Sequence, residues 1–256
     1  MTSTILVTGG TGTLGGHVLP LLGDAELRIL SRHEREGAEY VTGDLVKGVG
    51  VEAAMDGAEV VLHLAGGAKG DDVAAANVAA AAAECGVRHL VHISVIGADR
   101  VPLGYLRSQL KAEQAIVDSG VPWTILRAAQ FHDLVLMMME KMTKMPVVPV
   151  PGGLRFQPVD SREVAERLVE LAFERPAGRV ADITGPKVYG MDELVRGYLE
   201  ARGKRRPTMR VRVPGKAGRS YRAGENLTLD GALKGKRTWE EFLDEQVRET
   251  ATGGRA

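Results

Sequence analysis

Gly9-Gly10-Thr11-Gly12-Thr13-Leu14-Gly15 stands directly after an apolar run, residues 3–8 (STILVT), and opens a helical run, residues 14–22. No other feature constrains the fold as strongly. The string contains G-x-G-x-x-G at Gly10, Gly12 and Gly15, and a looser G-x-x-G-x-x-G that begins at Gly9. Glycines at that spacing let the chain turn tightly, bring backbone against a pyrophosphate and seat a helix close on a strand. Free N–H groups and the dipole of the helix start then favour phosphate oxygens. The N-terminal segment therefore predicts a strand–turn–helix that binds a dinucleotide.

The pattern continues as strand and helix in alternation. Residues 27–30 read as a second strand, Val41 as the centre of a brief third, residues 60–64 (VVLHL) as a fourth, 89–93 (HLVHI) as a fifth and 123–126 as a sixth. Helices are expected over residues 72–85 and 105–118. The first of these is alanine-rich, which suits a helix that sits close to its neighbours. Such alternation implies an α/β fold with a doubly wound parallel (Rossmann) sheet and helices on both faces. Residues 1–128 are expected to form the dinucleotide-binding domain. Residues 129–256 are expected to form a smaller, interleaved substrate lobe, with part of 156–185 returning to the Rossmann sheet. Within the lobe, a Met-rich helix is expected at 134–145 and an extended Pro/Gly-broken segment at 147–153. Asp160 is placed to cap a helix over 162–174. A strand at 180–184, a helix at 192–201, a strand at 209–213 and an amphipathic helix at 239–247 complete it.

The end of the second strand selects the cofactor. A carboxylate about 20 positions on would hold the ribose hydroxyls of NAD. Ser31-Arg32 stands there instead, and a guanidinium fork suits the 2′-phosphate of NADP. NADP(H) is the expectation, with NAD(H) the alternative. Asp44 and Leu45, after the third strand, would lie beside the adenine.

Charge narrows the partners. Lys plus Arg equal Asp plus Glu at 33 each, so net charge points to neither nucleic acid nor a membrane surface. Residues 202–222 carry a basic run, but its alternation turns Arg210 and Arg212 to solvent, and nucleic-acid binding is not expected. No apolar run approaches the roughly 20 residues that span a bilayer. Cys85 stands alone, so no internal disulfide forms, and a cytoplasmic setting is the expectation. His89 and His92 point to opposite faces of a strand, and no metal site is expected.

Taken together, TGGTGTLG, Ser31-Arg32, Gly43-Asp44-Leu45, Leu64-Ala65-Gly66, His92-Ile93-Ser94-Val95-Ile96-Gly97, Pro122-Trp123-Thr124-Ile125-Leu126-Arg127, Gln130-Phe131 and Gln157-Pro158-Val159-Asp160 occur in order. With the terminal Arg237-Thr238-Trp239-Glu240-Glu241-Phe242-Leu243, they make the chain resemble the atypical short-chain dehydrogenases, particularly the NmrA-like group. The resemblance implies that Ala65 and Gly66 join the cofactor site and that Ser94 orients a substrate carbonyl. It implies that Tyr105 moves the proton and that a lysine stands four residues on. Gln109 occupies that position, able to hold a ribose hydroxyl but bringing no charge to activate a tyrosine. Lys111, about 600° of helix rotation from Tyr105, projects elsewhere. His132 is an alternative acid or base. Gln130, Phe131, Met138 and Phe156 are expected to touch a small apolar or aromatic substrate, and the Met-rich helix suits either that pocket or a homodimer contact. The function so implied is reduction of a carbonyl, quinone or activated alkene. A non-catalytic redox sensor acting through a protein partner, or a non-redox isomerase or cyclase, remains the alternative.

Overall fold

The structure, a computed structural model, describes residues 3–67 and 69–253 of the chain. Its first half runs β1 (Thr4–Thr8), α1 (Thr13–Val18), β2 (Glu26–Ser31), β3 (Tyr40–Thr42), α2 (Val51–Met55), β4 (Val60–His63), α3 (Asp71–Glu84), β5 (His89–Val95), α4 (Gly104–Asp118) and β6 (Trp123–Ala128). There follow α5 (His132–Met142), β7 (Val148–Pro151), β8 (Arg155–Phe156), α6 (Ser161–Phe173), β9 (Gly178–Arg179) and β10 (Ile183–Thr184). The chain ends with β11 (Tyr189–Gly190), α7 (Met191–Ala201), β12 (Thr208–Val211), α8 (Gly215–Ala223), β13 (Leu233–Lys234) and α9 (Trp239–Gly253).

These elements form two compact units. The first holds the described residues up to Asp99, Leu103–Arg127 and Ser161–Ala181; the second holds Arg100–Pro102, Ala128–Asp160 and the described residues from Asp182. In the first unit the strand order is β6-β5-β4-β1-β2-β3, with β9 beside β6. β1 pairs in parallel with both β2 and β4, β2 with β3, and β4 with β5. This is the doubly wound order, and its switch point lies between β1 and β4, where the crevice for a ligand opens at the carboxyl ends of the strands.

Register explains the two faces. Leu6 is level with Val61 and Val61 with Leu90, so alternate residues of three strands share one side. That side packs against Val51, Ala54 and Met55 of α2, the alanines of α3, and Ala112 and Ile116 of α4. Ile5, Val7, Leu62 and Val91 fall on the other side and are fully buried; α1 and α6 pack with each other, and α6 lies along β4 and β5. The alanine-rich sequence of α3 lets that helix run close along α4.

The second unit has its own core. Val135 and Met139 of α5, Val148 and Val150 of β7, Leu194, Val195 and Tyr198 of α7, and Trp239 and Phe242 of α9 form it. Ala128 pairs with Ile183, and β10 pairs with β13, both in parallel; β12 lies parallel to β7. Of the strand expected at 180–184, only Ile183–Thr184 (β10) forms, and β9 (Gly178–Arg179) ends just before that range; between them the Asp182 carboxylate accepts from Thr228 Oγ1 at 2.6 Å and the Asp182 carbonyl from the Leu233 amide. Two helices, α2 and α8, are not expected from the sequence; α2 is only five residues long, too short for an apolar period to show, whereas α8 lies in the stretch read as a basic run. Among the described residues, no helix is long and apolar enough to cross a membrane.

Candidate functional site

At the carboxyl ends of β1, β2 and β4 the first unit encloses a cleft of about 390 Å³. Its wall is made by Gly9, Thr11 and Gly12 after β1, Ser31 and Arg32 at the end of β2, Asp44 and Leu45 after β3, and Ala65 and Gly66 after β4. Nine residues named from the sequence thus line one cavity. Val46, Lys69, Asp71 and Ala74 line it as well and carry no motif.

The turn that floors the cleft tolerates only glycine at its tight points. Gly9 has φ +73°, and a Cβ there would stand 2.5 Å from the Ala65 nitrogen. At Gly15 a Cβ would meet the Gly10 Cα at 2.4 Å, so the first turn of α1 lies directly on the loop. Gly10 faces inward against Ile29. Thr13 and Leu14 begin α1 and do not line the cleft; Leu14 is buried in the core. Gly12, the N-cap of α1, carries no side-chain cap. The groups offered to a ligand there are backbone amides, the chemistry a pyrophosphate requires.

The far end of the cleft is polar. Arg32 is exposed, while Ser31 is buried and its Oγ accepts from the His33 amide at 3.4 Å. Asp44 turns its Oδ1 onto the amides of Val46 (3.0 Å) and Lys47 (3.1 Å). The Lys47 amide, foremost, holds this carboxyl below its ordinary range. Asp71, at the start of α3, accepts from the Gly67 amide at 2.8 Å through Oδ1 and from Gln109 Nε2 at 2.5 Å through Oδ2. Burial raises the Asp71 pKa, and the Gly67 amide opposes that.

The residues expected to carry the chemistry do not converge on this cleft. Gln109 does not line it: the side chain is buried beneath α3, on Asp71. Ser94 is likewise committed, donating to Glu113 Oε1 at 2.5 Å. The same carboxylate receives Arg127 Nε at 2.7 Å and Arg127 Nη2 at 2.6 Å, and Arg127 Nη1 reaches Asp99 at 2.7 Å. Ser94, Glu113 and Arg127 are all buried. The Glu113 and Asp99 charges outweigh burial and raise the Arg127 pKa further. Arg127 belongs to a motif legible in the sequence, but nothing there names its partners. Tyr105, in the first turn of α4, is 45% exposed.

Three further candidate residues stand in the second unit. His132, expected as an acid or base, has a fully buried ring that packs on Phe242 (5.1 Å between centroids) and Trp239 (5.9 Å), a core position. Phe156, expected against substrate, is buried and packs on Tyr221 at 5.7 Å. Met138 packs against the same core. Phe131 precedes α5 and bridges to Val159, and the Gln130 carbonyl accepts from the Val159 amide. Both sequence neighbours therefore hold a chain crossing. The buried Gln130 Oε1 finds no hydrogen-bond partner among the described residues.

Two buried histidines lie under the cleft wall in β4 and β5. His63 and His92 stack at 5.0 Å, and His63 Nδ1 pairs with the Thr8 hydroxyl at 2.7 Å. Burial pushes the His92 pKa down to about 4 and that of His63 well below its usual value, so both rings are neutral near pH 7. Among the described residues, no group of three His, Cys, Asp or Glu is placed to hold a metal ion.

Comparison with known proteins agrees with the cleft. The NAD(P)H-binding family model matches residues 9–175. The chain is 34% identical over 194 residues to the (4-alkanoyl-5-oxo-2,5-dihydrofuran-3-yl)methyl phosphate reductase of Streptomyces griseus, covering 72% of this chain and 68% of that one. It is 27% identical over 213 residues to the NAD(P)H azoreductase of Xenophilus azovorans, covering 78% and 74%. Among solved structures, the NADPH-dependent quinone oxidoreductase of Escherichia coli in complex with NADPH superposes with a TM-score of 0.79 at 18% identity, over 96% of this chain and 99% of that one.

Proposed function

Because the chain belongs to the NAD(P)H-binding, NmrA-like group of atypical short-chain dehydrogenases, we propose that it is an NADP(H)-dependent oxidoreductase reducing a carbonyl, quinone or activated alkene of an apolar small molecule. The observation that carries the cofactor choice is the end of β2: Ser31 and Arg32 line the cleft where an NAD-selective site would present a carboxylate. The Gly9–Gly12 turn would hold the pyrophosphate with backbone amides, and Arg32 would hold the 2′-phosphate. Leu45, Ala65 and Ala74 offer the apolar surface an adenine needs. When bound, the nicotinamide supplies a hydride. The proton would come from Tyr105 or a water, while the Ser94 hydroxyl is committed to Glu113 and Gln109 to Asp71. The names of the relatives, an (alkanoyl-oxo-dihydrofuranyl)methyl phosphate reductase and an azoreductase, support reduction as the reaction class.

That same commitment of Ser94 and Gln109 favours a second reading, a dinucleotide sensor without turnover. Two measurements in sequence test the cofactor and then separate the readings. Isothermal titration with NADPH and NADH, on the protein and on Arg32→Ala, should show about 1–3 kcal/mol lost for NADPH, the range of a charge-assisted hydrogen bond, and little change for NADH. Equal losses would refute the 2′-phosphate role. NADPH oxidation is then followed across quinones, enones, azo dyes and ketones; tight binding with no oxidation sinks the reductase reading in favour of the sensor.

A further inference from the structure

The second unit holds a cavity of about 460 Å³ that shares no lining residue with the dinucleotide cleft. We propose that it is a recognition site for a phosphorylated small molecule. Asp192, Arg196, Leu199 and Glu200 approach it from one face of α7, at helical spacing. Lys204, Arg205 and Arg206 come from the turn that follows, and Thr208 and Arg210 from alternate positions of β12. Val150 and Leu199, both buried, give it an apolar floor.

Five cations therefore face one concavity against two carboxylates. Arg196, Lys204, Arg205, Arg206 and Arg210 make no ion pair among the described residues. Their neighbour Arg202 shows the ordinary alternative, paired with Glu140 at 3.8 Å and lying over the Tyr198 ring. Arg210 also opens into a second depression of about 400 Å³ with Arg212 and Arg222, so the positive field extends along β12. Nine of the 33 basic residues lie in 201–224 with no acidic one, leaving 24 cations against 33 anions for the rest of the chain. Gathering like charges in this way costs free energy that a bound anion relieves, and guanidinium forks match phosphate oxygens in particular.

The cavity favours a small ligand over a nucleic acid. Its volume falls within the roughly 300–1,000 Å³ of small-molecule sites. The only aromatic residue in 201–224, Tyr221, packs on Phe156 and offers no face on which a base could stack. The phosphate could belong to a substrate or to a separate effector; the recognition chemistry is the same.

Pyrophosphate is the probe, titrated at low salt with and without saturating NADPH and followed by hydrogen–deuterium exchange and calorimetry. Protection is expected in the peptide covering residues 192–212, persisting when NADPH fills the cleft. Arg205→Ala/Arg206→Ala should weaken binding by about tenfold or more, as loss of charge-assisted contacts does. Lys216→Ala, a cation outside the cavity, should change it less than about twofold. Protection confined to residues 9–32 would overturn the site, as would an equal loss in Lys216→Ala. So would a duplex oligonucleotide that binds the 192–212 peptide and is not displaced by pyrophosphate. Protection that vanishes with NADPH present would assign the probe to the dinucleotide cleft. A failure of NADPH to bind would bear on the cofactor reading and leave this test intact. If NADPH oxidation on any substrate of the panel changes with pyrophosphate, the site serves an effector; if only phosphorylated substrates lose rate in the double variant, it serves the substrate.

Discussion

The glycine turn after β1 and the inner face of α4 are both close-packed, but for opposite physical reasons. In the turn, side chains are missing: a Cβ at Gly9 would collide with the Ala65 backbone and one at Gly15 with Gly10. What remains is backbone that a phosphate can approach. On α4, side chains are present and saturated: Gln109 on Asp71, and Glu113 on Ser94 and Arg127. The first region is built to receive a ligand. The second is built to hold a helix in place, using residue types the family resemblance would have assigned to chemistry.

The largest expected effect tests the saturated side. Glu113→Ala removes the partner of a buried guanidinium, leaving Arg127 only the half-exposed Asp99. Breaking a buried pair in this way costs about 3–5 kcal/mol, whereas replacing both members with apolar residues of similar size is often close to neutral. Urea denaturation of Glu113→Ala and of Glu113→Leu/Arg127→Met should show that order. A single-variant loss below about 1 kcal/mol would mean the network is solvated, and the contrast with the turn would collapse. A smaller effect tests the empty side. Gly15→Ala should lose about 1–3 kcal/mol through overpacking, together with NADPH affinity. Gly16→Ala, one residue on in the same helix, meets nothing within 4 Å and should gain up to about 1 kcal/mol from helix propensity. Equal thermal shifts for the two variants would show that packing against the loop does not decide the requirement for glycine.

These two regions also explain what was legible in the sequence. Glycine spacing reports a local constraint between residues adjacent in the chain, and the alternation of strands with helices reports a parallel sheet, so the doubly wound fold and nine residues of the cleft wall between Gly9 and Gly66 could be read directly. Asp71 with Gln109 is separated by 38 positions and Ser94 with Glu113 by 19. No periodicity announces such pairs. His132 is easily misread because a histidine in a loop-to-helix step looks alike whether it meets solvent or the rings of Trp239 and Phe242, more than 100 positions away. The basic run at 202–222 reads as a solvated strand face because alternation shows which way side chains point, and not that α7 and a turn close a concavity around them.

The smallest expected effect is the most discriminating. Gln109→Lys restores the residue that the wider family uses to activate a tyrosine, so it asks whether α4 is one substitution away from a proton relay. The structure gives the new ammonium a different partner. Gln109 Nε2 sits 2.5 Å from Asp71 Oδ2, buried, while Tyr105 lies exposed one turn earlier. Burial raises the Asp71 pKa, so the folded chain binds this proton more tightly than the unfolded chain. Stability from this group is therefore lost as pH rises from the ordinary carboxylate value through the raised folded one. An ammonium at position 109 lowers the Asp71 pKa, and the variant should lose less stability across that interval, read by thermal unfolding at a series of pH values. The pH profile of NADPH oxidation, by contrast, should stay where it is. If the profile moves to lower pH while the stability curve does not, the introduced ammonium has reached Tyr105, and the inner face of α4 is a relay waiting for its charge and not a packing surface.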